Sequence, residues 1–456
     1  MAATTEDLAR WLVASTPGDI PGDVVREARR ALVNIVGCAL GGARHEAVGV
    51  TIDALGPMFG PPDAAVIGRP ERADPLHAAL LNGISSHVED FDDTLPGNYI
   101  HASSPVASAL LAYASANPVS GRDLLHAFVL GFEVTSRLGN ATYPAHYSAG
   151  WHSTGSVGVF GAAVAVATLL RLDVQRMIWA IGLAGTQAAG VREQFGSMGK
   201  ALHPGRAAQS GYAAALLAAK GFTSGAHGIE GPRGWAPVTS SEYDLSKVTE
   251  GLGASWELHV NTYKPFPCGI VNHPAIDACI QLHYEHGVRP DQVRAVRLHV
   301  APLVIDLCGK TDIRSGLEGK FSVVHGAAVG LVRGRAGLRE YTDEAVHDRD
   351  VRMVRERTTR AADDPTVTED GVHVEVELTD GRVLEKRLTA SLGNLQRPLT
   401  DAQLDAKFRD QATLVLNAEQ AQRVLALCRR IDELPDVGEL VDATVSVPLR
   451  ERASPR

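Results

Sequence analysis

The spacing of the apolar residues changes twice along this chain, and that switch sets what it can fold into. Up to about residue 260 the apolar residues recur at helical intervals, as at Val25, Ala28, Leu32, Ile35 and Val36. Asp74-Pro75 reads as an N-cap followed by proline at the first helical position. Ser120-x-x-Asp123 resembles a capping box before another apolar run. Further helices are expected near 155–170, 173–188, 205–220 and 271–286. Those at 155–170 and 205–220 are apolar almost all round and belong at the centre. The pattern then turns strand-like at 293–300 and alternates cleanly at 372–378, with a hairpin signal at Asp380-Gly381 before 382–388. A helix within 321–332 is expected to pack on that sheet. From Thr400 the helical spacing returns, and a last strand-like piece covers 443–447.

This pattern predicts a mainly α chain with a smaller α+β domain. Residues 1–265 and 396–456 form one helical domain, interrupted by an α+β lid at 266–395. A ligand cleft is expected where the two meet. Aromatics make up 5% of the chain and glycine 45 of its 456 residues, so its helices must pack through small side chains. The net charge of −9 excludes nucleic acid as a natural partner. The five cysteines, at 38, 268, 279, 308 and 428, are widely spaced and contain no C-x-x-C. They support neither a disulfide framework, a zinc ribbon nor a cysteine-ligated cluster. The first residues carry acids where a signal peptide carries bases, and the longest apolar run is short for a membrane span. A reduced, cytoplasmic protein without membrane partners is the expectation.

One segment carries most of the chemistry. His87 to Thr94 and His101 place four acids, a threonine and two histidines within fifteen positions. If residues 80–94 are helical, His87, Asp90 and Thr94 share one face. Three readings are open: a solvated helix end; a magnesium site imitating D-D-x-x-D through Glu89-Asp90-x-x-Asp93; or metal-free acid–base chemistry. The magnesium reading lacks a second acidic motif. The acid–base reading gains from three other loops, each delivering His or Lys where a helix begins. These are His152 in Gly150–Gly155, Lys200 and His203 in Phe195–Gly205, and Lys264 in Tyr263–Cys268, with His273 opening the next helix. Lysine is scarce beside arginine, which makes loop lysines candidates for binding a carboxylate.

Together and in this order, the motifs resemble the MmgE/PrpD family. They are H-x-x-D-F-D-D-T, G-W-H-x-T, K-x-x-H-x-G-R-A-A and Y-K-P-F-P-C…H-P-A-I-D, with the late Arg397-Pro-Leu-Thr400 and Lys407-Phe408. The resemblance implies a homodimer whose cofactor-free and metal-free active site lies between the domains. Its substrates would be small di- or tricarboxylates, and its chemistry would move a proton on carbon next to a carboxylate. Asp90, Thr94, His101, His152, Lys200 and Lys264 are the implied catalytic set. His203, His273 and His325 are expected at the substrate. Lys200, Lys264 and His152 would stabilise the anion, His101 would take the carbon proton, Asp90 would orient a histidine or act as partner acid, and Thr94 would bond a substrate oxygen. Glu89, Asp92 and Asp93 read as structural.

A 2-methylcitrate dehydratase-like hydro-lyase is the leading expectation. Alternatives are an epimerase of an imino- or amino-dicarboxylate, a cis-aconitate decarboxylase, and a carboxylate-binding protein without catalysis. Three departures weaken decarboxylation. Gly269 stands where decarboxylases carry histidine, Phe321-Ser-Val-Val-His325 ends in histidine instead of tyrosine, and there is one extra residue between Thr94 and His101.

Overall fold

A computed structural model describes residues 3–446. It is mainly helical, with one small four-stranded mixed sheet and a short antiparallel pair, Ala64–Ala65 with Arg72–Ala73. One apolar core runs from Leu8 to Tyr263 and takes in Leu399 to Ala443, so both ends of the chain build the same helical body. A second core spans Phe266 to Leu378 and takes in Tyr99 and Tyr147 from the first body, with Tyr143 and Phe195 packed against it.

In the helical body the central layer is made by Pro75–His87, Ser103–Ala116, Gly121–Thr142, Gly158–Leu169 and Gly199–Ala219. Small residues let these helices touch. A Cβ on Gly83 would sit 2.5 Å from Gly205 Cα, so the helices bearing them meet backbone to backbone. That contact draws the C-terminal end of Pro75–His87 towards the N-terminal turns of Gly199–Ala219. The expected caps are formed: Asp74 accepts from the Leu76 and His77 amides, and Ser120 from that of Asp123.

The sheet runs in the order Thr358–Ala361, Val293–His299, Val372–Leu378, Val383–Leu388; the first pair is parallel and the others antiparallel. The helix lying on the hairpin strands is His273–His286. The helix expected there, Val323–Arg333, packs mainly on His273–His286 and meets the sheet chiefly at Thr358–Ala361. Three expectations change. Lys200 and His203 lie inside a helix that starts at Gly199, not ahead of it. Residues 80–94 are not one helix, because it stops at His87 and Asp90 adopts a left-handed φ of 52°. At the chain end, Gly438–Ala443 is helical and residues 444–446 form no strand; Val447 lies outside the described residues. No helix among the described residues is long and apolar enough to cross a membrane.

Candidate active site

The loop that follows the Pro75–His87 helix and the loop at 263–271 line a cavity where the two cores meet. Asp90, Thr94, His101, His152, Lys200 and Lys264 all line it, so six sequence candidates from four separate segments converge. Tyr99, Tyr147, Phe195, Leu307, Cys308 and Phe321 supply the apolar and phenolic remainder of the wall.

Asp90 is the hub. Its Oδ1 accepts from Lys200 Nζ at 2.8 Å and Lys264 Nζ at 2.7 Å. Lys264 also donates to the Asp90 and Cys268 carbonyls, which ties the acidic loop to the start of the second core. Burial alone would raise the Asp90 carboxyl, but the two ammonium groups outweigh it and hold it well below the usual range. Both ammonium groups converge on one Asp90 oxygen at the cavity wall, so an anionic ligand entering there meets two cations. Asp90 Oδ2 is buried without a protein partner.

A second carboxylate governs the histidines, and it is Asp92, which the sequence reading had set aside as structural. The left-handed turn at Asp90 brings Asp92 back beneath the preceding helix, where its Oδ2 meets His87 Nδ1 at 2.8 Å. Its Oδ1 lies 3.2 Å from His101 Nδ1, off the line of a good hydrogen bond; the aligned partner of that nitrogen is Thr94 Oγ1 at 3.3 Å. Asp92 therefore acts on His101 chiefly through its charge. The Asp90 role as a histidine-orienting group is not what the geometry provides, since His101 Nε2 stands 3.9 Å from Asp90 Oδ1. Burial lowers the His101 pKa, with Asp92 opposing the shift. Burial also drives His87 down to about 4 and His152 well below its ordinary value, the latter with help from Lys200. All three imidazoles are neutral at neutral pH, as a base must be before it accepts a proton.

His87, Asp92 and His101 offer atoms within 4.8 Å of one another, close enough to raise the question of a cation. The carboxylate is already shared between the two imidazoles, and the Lys200 charge acts on both rings. The donor set fits a proton-handling cluster better than a metal centre.

The three expected substrate contacts lie off the cavity wall. His325 points its Nε2 at the Glu340 carbonyl, 3.0 Å away, because Ser322 caps its helix and turns the ring inward. His273 lines a neighbouring pocket with Tyr99 and Glu369. His203 stands behind His152, Nδ1 to Nδ1 at 2.9 Å. Sequence reasoning also missed Lys320, which donates to Glu89 Oε2 at 2.8 Å and to the Pro267 carbonyl, fastening the second core to the acidic loop. The rarity of lysine was the signal available. Lys407, noted only as part of a late motif, donates to the Phe91 and Lys264 carbonyls, next to both ends of the Asp90–Lys264 pair.

A family model for the MmgE/PrpD N-terminal domain matches residues 6–247, and one for the MmgE/PrpD C-terminal domain matches residues 266–433. Among curated proteins the chain is 28% identical to a cis-aconitate decarboxylase-like protein, oryM, of Aspergillus oryzae, with 96% of each chain covered. It is 26% identical to a cis-aconitate decarboxylase of Aspergillus terreus over 98% of both chains. It is 24% identical to the mouse cis-aconitate decarboxylase, over 100% of this chain and 96% of the relative.

Proposed function

Given that the chain belongs to the MmgE/PrpD family, we propose that it is a lyase. Its substrate is a small di- or tricarboxylate, and the reaction moves a proton on carbon adjacent to a carboxylate. The carrying observation is the pairing of a neutral, Asp92-flanked His101 with two ammonium groups on one cavity wall. Lys200 and Lys264 bind the substrate carboxylate and take up the charge that grows on it as the carbon proton leaves. His101 accepts that proton at Nε2, while Asp92 beside Nδ1 stabilises the imidazolium that forms. Thr94 keeps the ring in place.

Within this class we favour elimination of water from a hydroxy acid, the 2-methylcitrate dehydratase type. Asp90 lines the cavity, and its Oδ2 is buried with no protein partner; a substrate hydroxyl that reached it would satisfy it. The hydroxyl then departs with a proton from imidazolium or from Lys200, whose pKa burial lowers. Decarboxylation is the second reading, favoured by the names of the relatives; there the same groups protonate the carbanion left by carbon dioxide. It must proceed without a side chain at Gly269 and without His325, which faces Glu340.

Proton NMR of a panel of di- and tricarboxylates incubated with the enzyme in deuterated water tests the proposal. A new alkene with an unchanged carbon count supports dehydration, and loss of one carboxylate carbon replaces it with decarboxylation. No turnover of any acid rejects both.

A further inference from the structure

His152 and His203 form a pair that the catalytic scheme leaves unused. His152 is buried and lines the cavity. His203, half-buried at the start of the Gly199–Ala219 helix, lines a separate surface depression of about 890 Å³ with Gln187, Val191 and Arg206; the last two are exposed. The two rings meet at 2.9 Å through their Nδ1 atoms, so one of these nitrogens holds the proton and the other the lone pair. The slot around His203 is walled by glycines that leave no room for a side chain of their own. A Cβ on Gly155 would lie 2.9 Å from His203 Cβ, and one on Gly190 would lie 3.1 Å from its ring. Gly190 has a φ of 118° and accepts the His152 amide at 3.0 Å, which fixes the backbone of one histidine against the slot of the other. Each ring thus faces a different space, and the side-chain contact that joins those spaces is N–H···N.

We propose that the His152–His203 pair is a proton conduit between the catalytic cavity and solvent in the outer depression. A proton taken from the cavity at His152 Nε2 makes that ring an imidazolium. Its Nδ1 proton then crosses to the lone pair of His203 Nδ1, and His203 releases its Nε2 proton to water. One proton enters, one leaves, and no other bond changes; the reverse order carries a proton inward. Burial depresses both rings, His152 further than His203, so the charge rests more easily on the outer ring than on the inner one. A bond of purely structural value would need neither the depression nor the glycine-walled slot.

The inference rests on reading the cavity as a site of proton transfer, and His203→Asn tests it. Asparagine places an amide atom near the position of Nδ1, keeping a contact with His152 but passing no proton. The expected result is a fall in kcat of about tenfold or more with KM unchanged, recovered by added imidazole entering the depression. An unchanged kcat, or a loss that imidazole does not restore, overturns the conduit while leaving the cavity's chemistry intact. A wild-type chain that turns over no carboxylate instead sinks the functional reading. The pair is then decided without any variant by NMR of protein carrying ¹⁵N-histidine. Coupling between the two Nδ1 atoms through a solvent-exchanging proton supports the conduit, and its absence overturns it.

Discussion

Replacing Asp92 with asparagine separates the charge of this residue from its shape. The carboxylate sits 3.2 Å from His101 Nδ1 and bonds His87 on its other side. Full charge on both groups at that distance is worth about 5 kcal/mol at an effective dielectric of 20. The imidazolium is half formed in the transition state, so about half of that, roughly 2–3 kcal/mol, is lost with the charge, or about a hundredfold in kcat. The amide adds a second effect in the same direction. With its oxygen kept on His87, its NH₂ faces His101 Nδ1, turns that nitrogen into an acceptor and moves the ring proton to Nε2, where the base needs a lone pair. The assay is kcat on the acid identified by the NMR panel, with denaturant unfolding as a check on the fold. His101→Gln combined with Asp92→Asn should be no slower than His101→Gln alone, because the charge of Asp92 acts on the reaction through that ring and the amide oxygen keeps the bond to His87. A folded Asp92→Asn variant retaining a third or more of wild-type kcat would refute the reasoning.

Asp93, the next residue, should behave in the opposite way. Burial pushes its carboxyl up to about 7, and Ser103 and Asn261 both donate to one oxygen that an amide can replace. A folded-state pKa above the unfolded value means that the native state binds more protons between about pH 4 and 7, so this group's contribution falls as pH rises through that window. Asp93→Asn should keep most activity and remove about 2 kcal/mol of the stability lost between pH 5 and 7.5, read by urea unfolding at the two pH values. Gly269→Ala should cost about 1–3 kcal/mol, because its Cβ would lie 2.6 Å from Cys308 Sγ; Cys308→Ala in the same chain should recover most of it, and no recovery would show that the clash lies elsewhere. His325→Gln should change kcat and KM by no more than about twofold while lowering the melting temperature; a KM raised tenfold would return His325 to the substrate.

Much of this molecule is legible in the amino-acid order, and the failures share a cause. Helices announced by a buried stripe and a capping side chain, such as those after Asp74 and Ser120, form as read because one face decides them. The helix expected at 205–220 begins earlier, at Gly199; its first turns were hidden by Gly199 and Pro204, which belong in loops by propensity. Burial against Pro75–His87 and Gly158–Leu169 overrides that preference. The strand Thr358–Ala361 has four residues and no alternation of its own; its pairing with Val293–His299 defines it. That Asp90, Thr94, His101, His152, Lys200 and Lys264 come together at one cavity was readable from the four motif-bearing segments that hold them. Asp92 was not, since its partnership with His87 depends on a left-handed residue between them that no periodicity reveals. His325 misled because its motif position says nothing about the rotation of the helix that carries it.

The chain has only eight lysines, and four of them, Lys200, Lys264, Lys320 and Lys407, are buried, while Lys220, Lys247 and Lys310 are exposed and Lys386 is half-covered. An amine-reactive label therefore meets a nearly bare exterior and an interior rich in targets. Lys320 and Lys264 hold the acidic loop against the backbone at 267–268, so acylation of either one requires those contacts to open first. The rate at which each becomes labelled is a clock for parting of the two bodies, built in without any added probe. A tightly bound carboxylate should slow that clock at the interior lysines and leave it untouched at Lys220, Lys247 and Lys310.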